Sequence, residues 1–288
     1  MYWEVGVLAA FGAMLCWGIG DFFIQRTTRK IGDIETIAFM SAIGAIGLTP
    51  FILSDISLLF EFHNILLIFL LSIAALVAAM LNFEALKQGK LSVIDVVLEI
   101  ELPITVILGF LFFQELLSIM QVILVGLIMA GVALIAVGNG PLKLRKGIEK
   151  GVFLAVLAAI AMGFVNLLTA VGSRQMSPLM IIWTPWTIAA IMSFTFLMKR
   201  DGVHKTIKRA SKFKGLILAM GIFETVAWLL FAIAVFSNTL SITIAITNSS
   251  PAVALIIGLW INKERIAKHQ YLGAVITLIS CFVLGFWI

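Results

Sequence analysis

A chain of 288 residues that is 62% hydrophobic and only 12% charged, with a mean hydropathy of +1.14, lies far from the about 45–50% apolar and about 25% charged make-up of soluble domains. So much apolar surface cannot all be buried in one core, which excludes disordered, coiled-coil and nucleic-acid-binding classes and leaves an integral membrane protein with several spans. The net charge of +5, from 20 Lys+Arg against 15 Asp+Glu, is first of all a record of topology.

A membrane-crossing helix needs about 20 mostly apolar residues. Runs of that kind fall at roughly 4–25, 35–53, 64–86, 91–113, 117–138, 151–171, 177–198, 215–236, 239–261 and 269–287. The first run follows Met1-Tyr2-Trp3-Glu4, which lacks a basic n-region, so it is expected to stay as a span. The runs are parted by Arg29-Lys30-Ile31-Gly32-Asp33, Lys87-Gln88-Gly89-Lys90 and Asn139-Gly140-Pro141, and the one sizeable hydrophilic loop is Lys199–Lys214. Two-residue alternation is absent, so an outer-membrane barrel is disfavoured. The expected fold class is all-α integral membrane with ten transmembrane helices. Loops after odd-numbered spans hold 19 of the 20 Lys and Arg, and the other side holds Arg174 alone. The positive-inside rule then puts the Lys/Arg-rich loops in the cytoplasm and both termini outside, in a multi-pass cell-membrane protein.

The chain repeats itself. Gly6, Val7, Ala10, Ala13 and Gly18 recur 145 positions later as Gly151, Val152, Ala155, Ala158 and Gly163. Gly109, Glu115 and Gln121 recur 149 later as Gly258, Glu264 and Gln270, and Leu102-Pro103 faces Ser250-Pro251. Each copy has five spans, an odd number, so the second enters the membrane from the opposite face. Charge agrees: the stretch between spans two and three has no Lys or Arg, and its counterpart between spans seven and eight has seven. The expected organisation is a first repeat at 1–138, a cytoplasmic linker at 139–149 and an inverted second repeat at 150–288. Inverted repeats are common in secondary transporters, with the substrate site near the midplane between the halves.

These features resemble the drug/metabolite transporter superfamily, and specifically proteins with two EamA repeats. The likeness covers about 5–138 and 150–285. It is carried by Trp17-Gly18 in the first span, Ala85-Leu86-Lys87 ending the third, Pro103 or Pro251 in the fourth of each half, and Glu115 or Lys263-Glu264-Arg265 just after it. The resemblance implies a carrier that moves small metabolites, amino acids or drugs by alternating access, often with protons. Asp21 and the acidic fourth span depart from the family's usual neutral pattern.

Beyond Glu4 and Glu35, each the first residue of a span, six acidic residues fall inside the spans, Asp21, Glu84, Asp95, Glu99, Glu101 and Glu224, while no basic residue does. Counted from Leu91, Glu99 and Glu101 lie about 12 and 15 Å along a helix rising about 1.5 Å per residue, near the centre of a core about 30 Å thick. An ionised group there costs about 2.5–3.5 kcal/mol on insertion scales. These carboxyls must take up a proton, face a wet cavity or meet a cation. The prolines mark the same level: Pro103 offers no N–H to the carbonyl of Glu99, and Pro251 none to that of Thr247. Kinked polar helices at matching positions of two inverted halves point to a transporter site. Glu99 and Glu224 are the expected central carboxyls, Asp95 and Glu101 the next, and Asn248 the neutral partner, with Thr247 beside it and Trp228 one turn from Glu224. Glu101 is about 200° from Glu99 on a regular helix, so the two line one cavity only if Pro103 distorts the turn. Asp21 and Glu84 lie near the cytoplasmic ends, where snorkelling is an equal reading. Glu115 and Glu264 are expected at the interface before spans five and ten, where helix N-termini favour carboxylates.

Gly18-Ile19-Gly20-Asp21 matches the GxGD pattern of intramembrane aspartyl proteases, but neither tyrosine precedes an Asp and Pro251-Ala252-Val253 is a poor third motif. No phosphate loop, nucleophile–His pair or zinc spacing occurs, and His63, His204 and His269 fall in loops. The expectation is a secondary carrier and not an enzyme, without metal or cofactor. Its partners would be membrane lipid, a small polar or cationic substrate, and a proton or other cation as coupling ion. Export is the expected direction; a passive cation pathway is the alternative, and monomer and homodimer both fit.

Overall fold

The computed structural model describes residues 2–88, 97–136, 148–200, 203–261 and 267–286. Its helices are α1 (Tyr2–Ile31), α2 (Asp33–Ile52), α3 (Phe62–Gln88), α4 (Glu101–Phe113), α5 (Ile119–Ala136), α6 (Ile148–Gln175), α7 (Pro178–Arg200), α8 (Val203–Ala210), α9 (Lys214–Ser237), α10 (Leu240–Thr247), α11 (Ser250–Ile261) and α12 (Lys268–Phe286), with a 3₁₀ turn at Ile56–Phe60. Among the described residues nine helical segments are long and apolar enough to cross a membrane, one of them α10 with α11, and α4 is a shorter apolar helix. The protein is an all-α, multi-pass membrane protein. Its outer surface is lined by large apolar side chains such as Leu8, Ile46, Phe69, Phe112, Ile191, Leu218 and Ile279, as expected of helices whose backbone polar groups bond internally and whose side chains meet lipid.

Two features differ from the sequence expectation. Helix α1 runs on to Ile31, carrying Arg29 and Lys30 in its last turn, where cations favour the negative end of the helix dipole. It stops at Gly32, whose φ of 105° only glycine adopts without strain. The segment after α7 is not a plain loop but holds the short helix α8.

The principal helix contacts cross between the halves. Helix α1 packs on α9, and its repeat counterpart α6 packs on α3, the counterpart of α9. Helices α2 and α7, and α5 and α12, each pack on their own counterparts, and α4 packs on α10, the other half of the interrupted span that contains its counterpart α11. This is the contact pattern of a two-fold axis. Local detail repeats with it. A Cβ on Gly18 would lie 2.5 Å from Val253 Cβ, and one on Gly163 would lie 2.6 Å from Ile104 Cγ2; both glycine pairs obey the repeat. The Ser118 N–H donates to Gln121 Oε1 (2.8 Å) at the start of α5, and the Ala267 N–H to Gln270 Oε1 (2.9 Å) at the start of α12. These caps satisfy N–H groups that a helix start leaves open.

The halves are inverted. Gly6, near the start of α1, lies against Ser237 and Asn238 at the end of α9. Arg174, near the end of α6, donates from Nε to the Val235 carbonyl (3.0 Å) and from Nη2 to that of Asn238 (3.0 Å). The start of α1 and the end of its counterpart α6 thus meet the same end of α9, so the two run in opposite directions.

Candidate functional site

Each half has an interrupted fourth span. In the second half α10 ends at Thr247, Asn248 and Ser249 form a turn, and α11 starts at Ser250. Pro251 is its second residue, where a missing N–H costs nothing and the fixed φ suits a helix start. In the first half Glu99 and Ile100 form a turn and α4 starts at Glu101, with Pro103 in its first turn. The prolines therefore begin new helices at these points.

The turn in the second half is polar but largely self-satisfied. The buried Thr247 hydroxyl donates to the Ile244 carbonyl (3.2 Å) and Ser249 Oγ to that of Ala245 (3.1 Å). Asn248 is half-buried. Thr243, also buried, donates to the Thr239 carbonyl (2.8 Å).

The acids separate into three places. Glu101 accepts a hydrogen bond from Asn166 Nδ2 on α6 at 2.7 Å, and the same amide group reaches Thr105 Oγ1, one turn along α4, at 3.2 Å. Asn166 and Thr105 are almost wholly buried. Glu99 turns away from this group. It lines a cavity of about 100 Å³ with Ile100, Leu102, Met129, Val132 and Ala133, between α4 and α5. Glu101 is not among the residues lining that cavity, so Glu99 and Glu101 do not share it.

Glu224 lies on α9, 8% exposed. Its Oε1 accepts from Trp228 Nε1 at 2.9 Å, the Trp17 indole is a second donor facing the carboxylate, and the enclosed Oε2 has no partner in good hydrogen-bond geometry. Across the contact, Gly20 of α1 leaves room, since a Cβ there would lie 3.7 Å from that oxygen. Asp21, on the exposed side of α1, is near enough for the two carboxylate charges to repel. Trp17 meets the Trp228 ring edge-on at 5.2 Å between centroids, and Phe231 stands 5.7 and 5.8 Å from the two indoles. These three rings share one apolar cluster with Ile104, Leu108 and Leu167 of α4 and α6. The Glu224 and Glu101 groups thus border the same packed interior.

Glu224 and Trp228 come together, with Asp21 next to the facing Gly20 but on the exposed side of α1; Glu101 joins a separate polar group; Glu84 is half-buried near the end of α3; Asp95 lies outside the described residues. The residue missed in the sequence is Asn166. The signal was present: Asn166 stands 145 positions after Asp21, one turn beyond Gly163 as Asp21 is beyond Gly18. The interrupted helix of the first half thus sets an acid, Glu101, against an amide, Asn166, on the first helix of the second half. The position equivalent to Asn166 on the first helix of the first half carries an acid, Asp21.

Glu115 does something other than precede span five. Its carboxylate, 6% exposed, accepts the Leu240 N–H (2.7 Å), the Ser241 N–H (2.9 Å) and Ser241 Oγ (2.7 Å), so it caps α10 from the connection between α4 and α5. Arg174 reaches Glu115 Oε1 at 3.5 Å while its guanidinium lies 4.0 Å over the Phe113 ring. At the opposite end Glu35, the first residue of the second predicted span, holds Arg200 at 2.6 Å and Arg209 at 3.7 Å. Glu264 lies outside the described residues. Glu115→Ala should destabilise the protein by about 2–3 kcal/mol, because buried N–H groups lose their acceptor; Glu115→Gln keeps one acceptor oxygen and should cost less. Thermal melting of both variants in detergent checks this.

Among the described residues no group of three or more His, Cys, Asp and Glu side chains is arranged to hold a metal. Inverted five-span repeats with interrupted fourth spans define a class of membrane protein built for transport across the bilayer. The sequence profile of the EamA-like transporter family matches residues 4–137 and 149–286, and the chain belongs to that family, whose members are transporters and not enzymes. No curated protein matches the sequence. A crystal structure of a protein of 13% sequence identity superposes with a TM-score of 0.81 over 98% of this chain and 96% of that one, which shows a shared fold.

Proposed function

We propose that the protein is a proton-coupled secondary carrier that exports a small polar or cationic metabolite, amino acid or drug across the cell membrane by alternating access. Both termini then lie outside, and the Glu35 end, rich in Lys and Arg, lies in the cytoplasm with a linker at 139–149 joining repeats 1–138 and 150–288. Glu224 and Glu101 are the central carboxyls of this reading, with Asp21, Asn166 and Trp228 beside them. Glu99 takes a secondary place because its cavity opens on the other side of α4, and Asn248 and Thr247 serve as the break that lets α10 and α11 move separately.

The single observation behind this reading is the enclosed Oε2 of Glu224, which has no partner in good hydrogen-bond geometry. Neither Glu224 nor Glu101 has a Lys or Arg partner among the described residues, and a carboxyl that deep is tolerated only neutral or matched to a positive species. A proton and a cationic substrate competing for one carboxyl give exchange without further machinery.

The test is purified protein in liposomes carrying an imposed pH gradient. Candidate amines, amino acids and neutral metabolites are offered, and uptake is followed with and without a protonophore. The reading expects saturable, gradient-driven accumulation of at least one candidate, lost with the protonophore and reduced in Glu101→Gln. Non-saturating flux unaffected by collapse of the gradient would instead establish a passive pathway.

A further inference from the structure

We propose that α8 and the 3₁₀ turn after it (Ser211–Phe213) form a docking surface for anionic phospholipid headgroups. Lys205, Lys208, Arg209 and Lys212 follow i, i+3, i+4, i+7 spacing and fall on one stripe; all four are exposed. The neighbouring stripe is buried: Thr206 and Ala210 are each 4% exposed, and Ala210 packs with Ile31, Ile217 and Met220, with Phe213 against the same cluster. The helix is therefore fixed to the body of the protein and cannot swing to hide its charges. On its remaining side Ile207 is half exposed.

A fixed short helix with a basic face, a protein-packed face and an exposed isoleucine is suited to the headgroup level of a bilayer, with Ile207 toward the acyl boundary. The charge needs an anion from outside. The acid holding this region is Glu35, whose carboxylate is 4% exposed and already shared by Arg200 and Arg209. Arg209 remains 55% exposed at its side chain, with guanidinium donors left for a phosphate. Topology alone does not demand a helix here. The equivalent stretch in the first half, between α2 and α3, is a 3₁₀ turn flanked by Asp55 and Glu61 with no basic residue. Placed on the same body of protein as Glu35, the headgroup would hold α8 and, through Arg209, the ends of α2 and α7.

Binding of phosphatidylglycerol and of phosphatidylcholine to the purified full-length chain in detergent, counted by native mass spectrometry, tests this without any knowledge of the transported substrate. A basic residue near an anionic surface contributes about fivefold in affinity. The triple variant Lys205→Gln, Lys208→Gln, Lys212→Gln should therefore bind phosphatidylglycerol about 100-fold more weakly while melting like the wild type in phosphatidylcholine. The wild type should lose its phosphatidylglycerol preference as sodium chloride is raised toward 1 M, where the Debye length is about 3 Å. Undiminished preference in the triple variant, or in high salt, overturns the proposal. So does displacement of the lipid by an equal concentration of glycerol 3-phosphate, which would make the stripe a site for free anions.

Discussion

Glu224→Gln is expected to leave the protein folded and to abolish gradient-driven accumulation. Glutamine has nearly the same shape, its carbonyl oxygen can keep the Trp228 Nε1 bond of 2.9 Å, and its amide nitrogen takes the place of the enclosed Oε2. The variant loses the carboxyl that alternates between a proton and a positive substrate. One proton moving down a pH difference of one unit supplies about 1.4 kcal/mol, enough for about a tenfold concentration ratio. In liposomes the wild type should approach that ratio per coupled proton, and Glu224→Gln should fall to unity while melting normally. Insertion itself should be no harder, since an ionised group at that depth costs about 2.5–3.5 kcal/mol. Full accumulation by the variant would remove Glu224 from the coupling site and leave Glu101 with Asn166 as the group to test.

The second large effect is mechanical. At the crossing of α5 and α12 the chains touch through Gly131 and Gly273. A Cβ added to Gly131 would collide with Thr277 Oγ1 and lie 2.8 Å from the Gly273 carbonyl oxygen, and one added to Gly273 would lie 2.6 Å from the Gly131 carbonyl oxygen. Backbone cannot swing aside as a side chain can, so the helices must separate. Small residues at membrane helix crossings permit this approach, and overpacking costs about 1–3 kcal/mol. Gly131→Ala should lower the melting temperature in detergent by several degrees, and Gly131→Val by more. Gly126→Ala, five residues earlier on the same helix with nothing within 4 Å of its Cβ, should leave it unchanged. Equal melting of Gly126→Ala and Gly131→Ala would show that α5 and α12 do not meet at this point.

The span pattern and the inversion were legible in the sequence because both rest on local quantities: apolar run length, and the side on which Lys and Arg fall. Trp228 beside Glu224 was legible too, being one turn away. What the sequence did not show depends on contacts between distant segments. Glu115 looks like a start signal for its own span, yet it caps α10. Arg174 looks like a lone exception to the charge rule, but it ties three spans at one end. Asn166 went unnoticed because an asparagine carries no charge to mark its depth. Depth along the span does not separate Glu99 from Glu101; which of the two turns inward depends on where the helix begins, and that is set by packing against α6.

The crossed pairing of helices has a consequence for how the protein is made. The main partners of α1, α2, α3 and α5 are α9, α7, α6 and α12, so the packing surfaces of the first five spans belong to segments synthesised later. Those spans must leave the translocon with their glycines and buried acids still unmatched, and wait in the lipid until the second half arrives. A ribosome halted after the fifth span would leave a set of inserted but unassembled helices, a natural target for membrane proteases. Supplying the second half as a separate chain should rescue it.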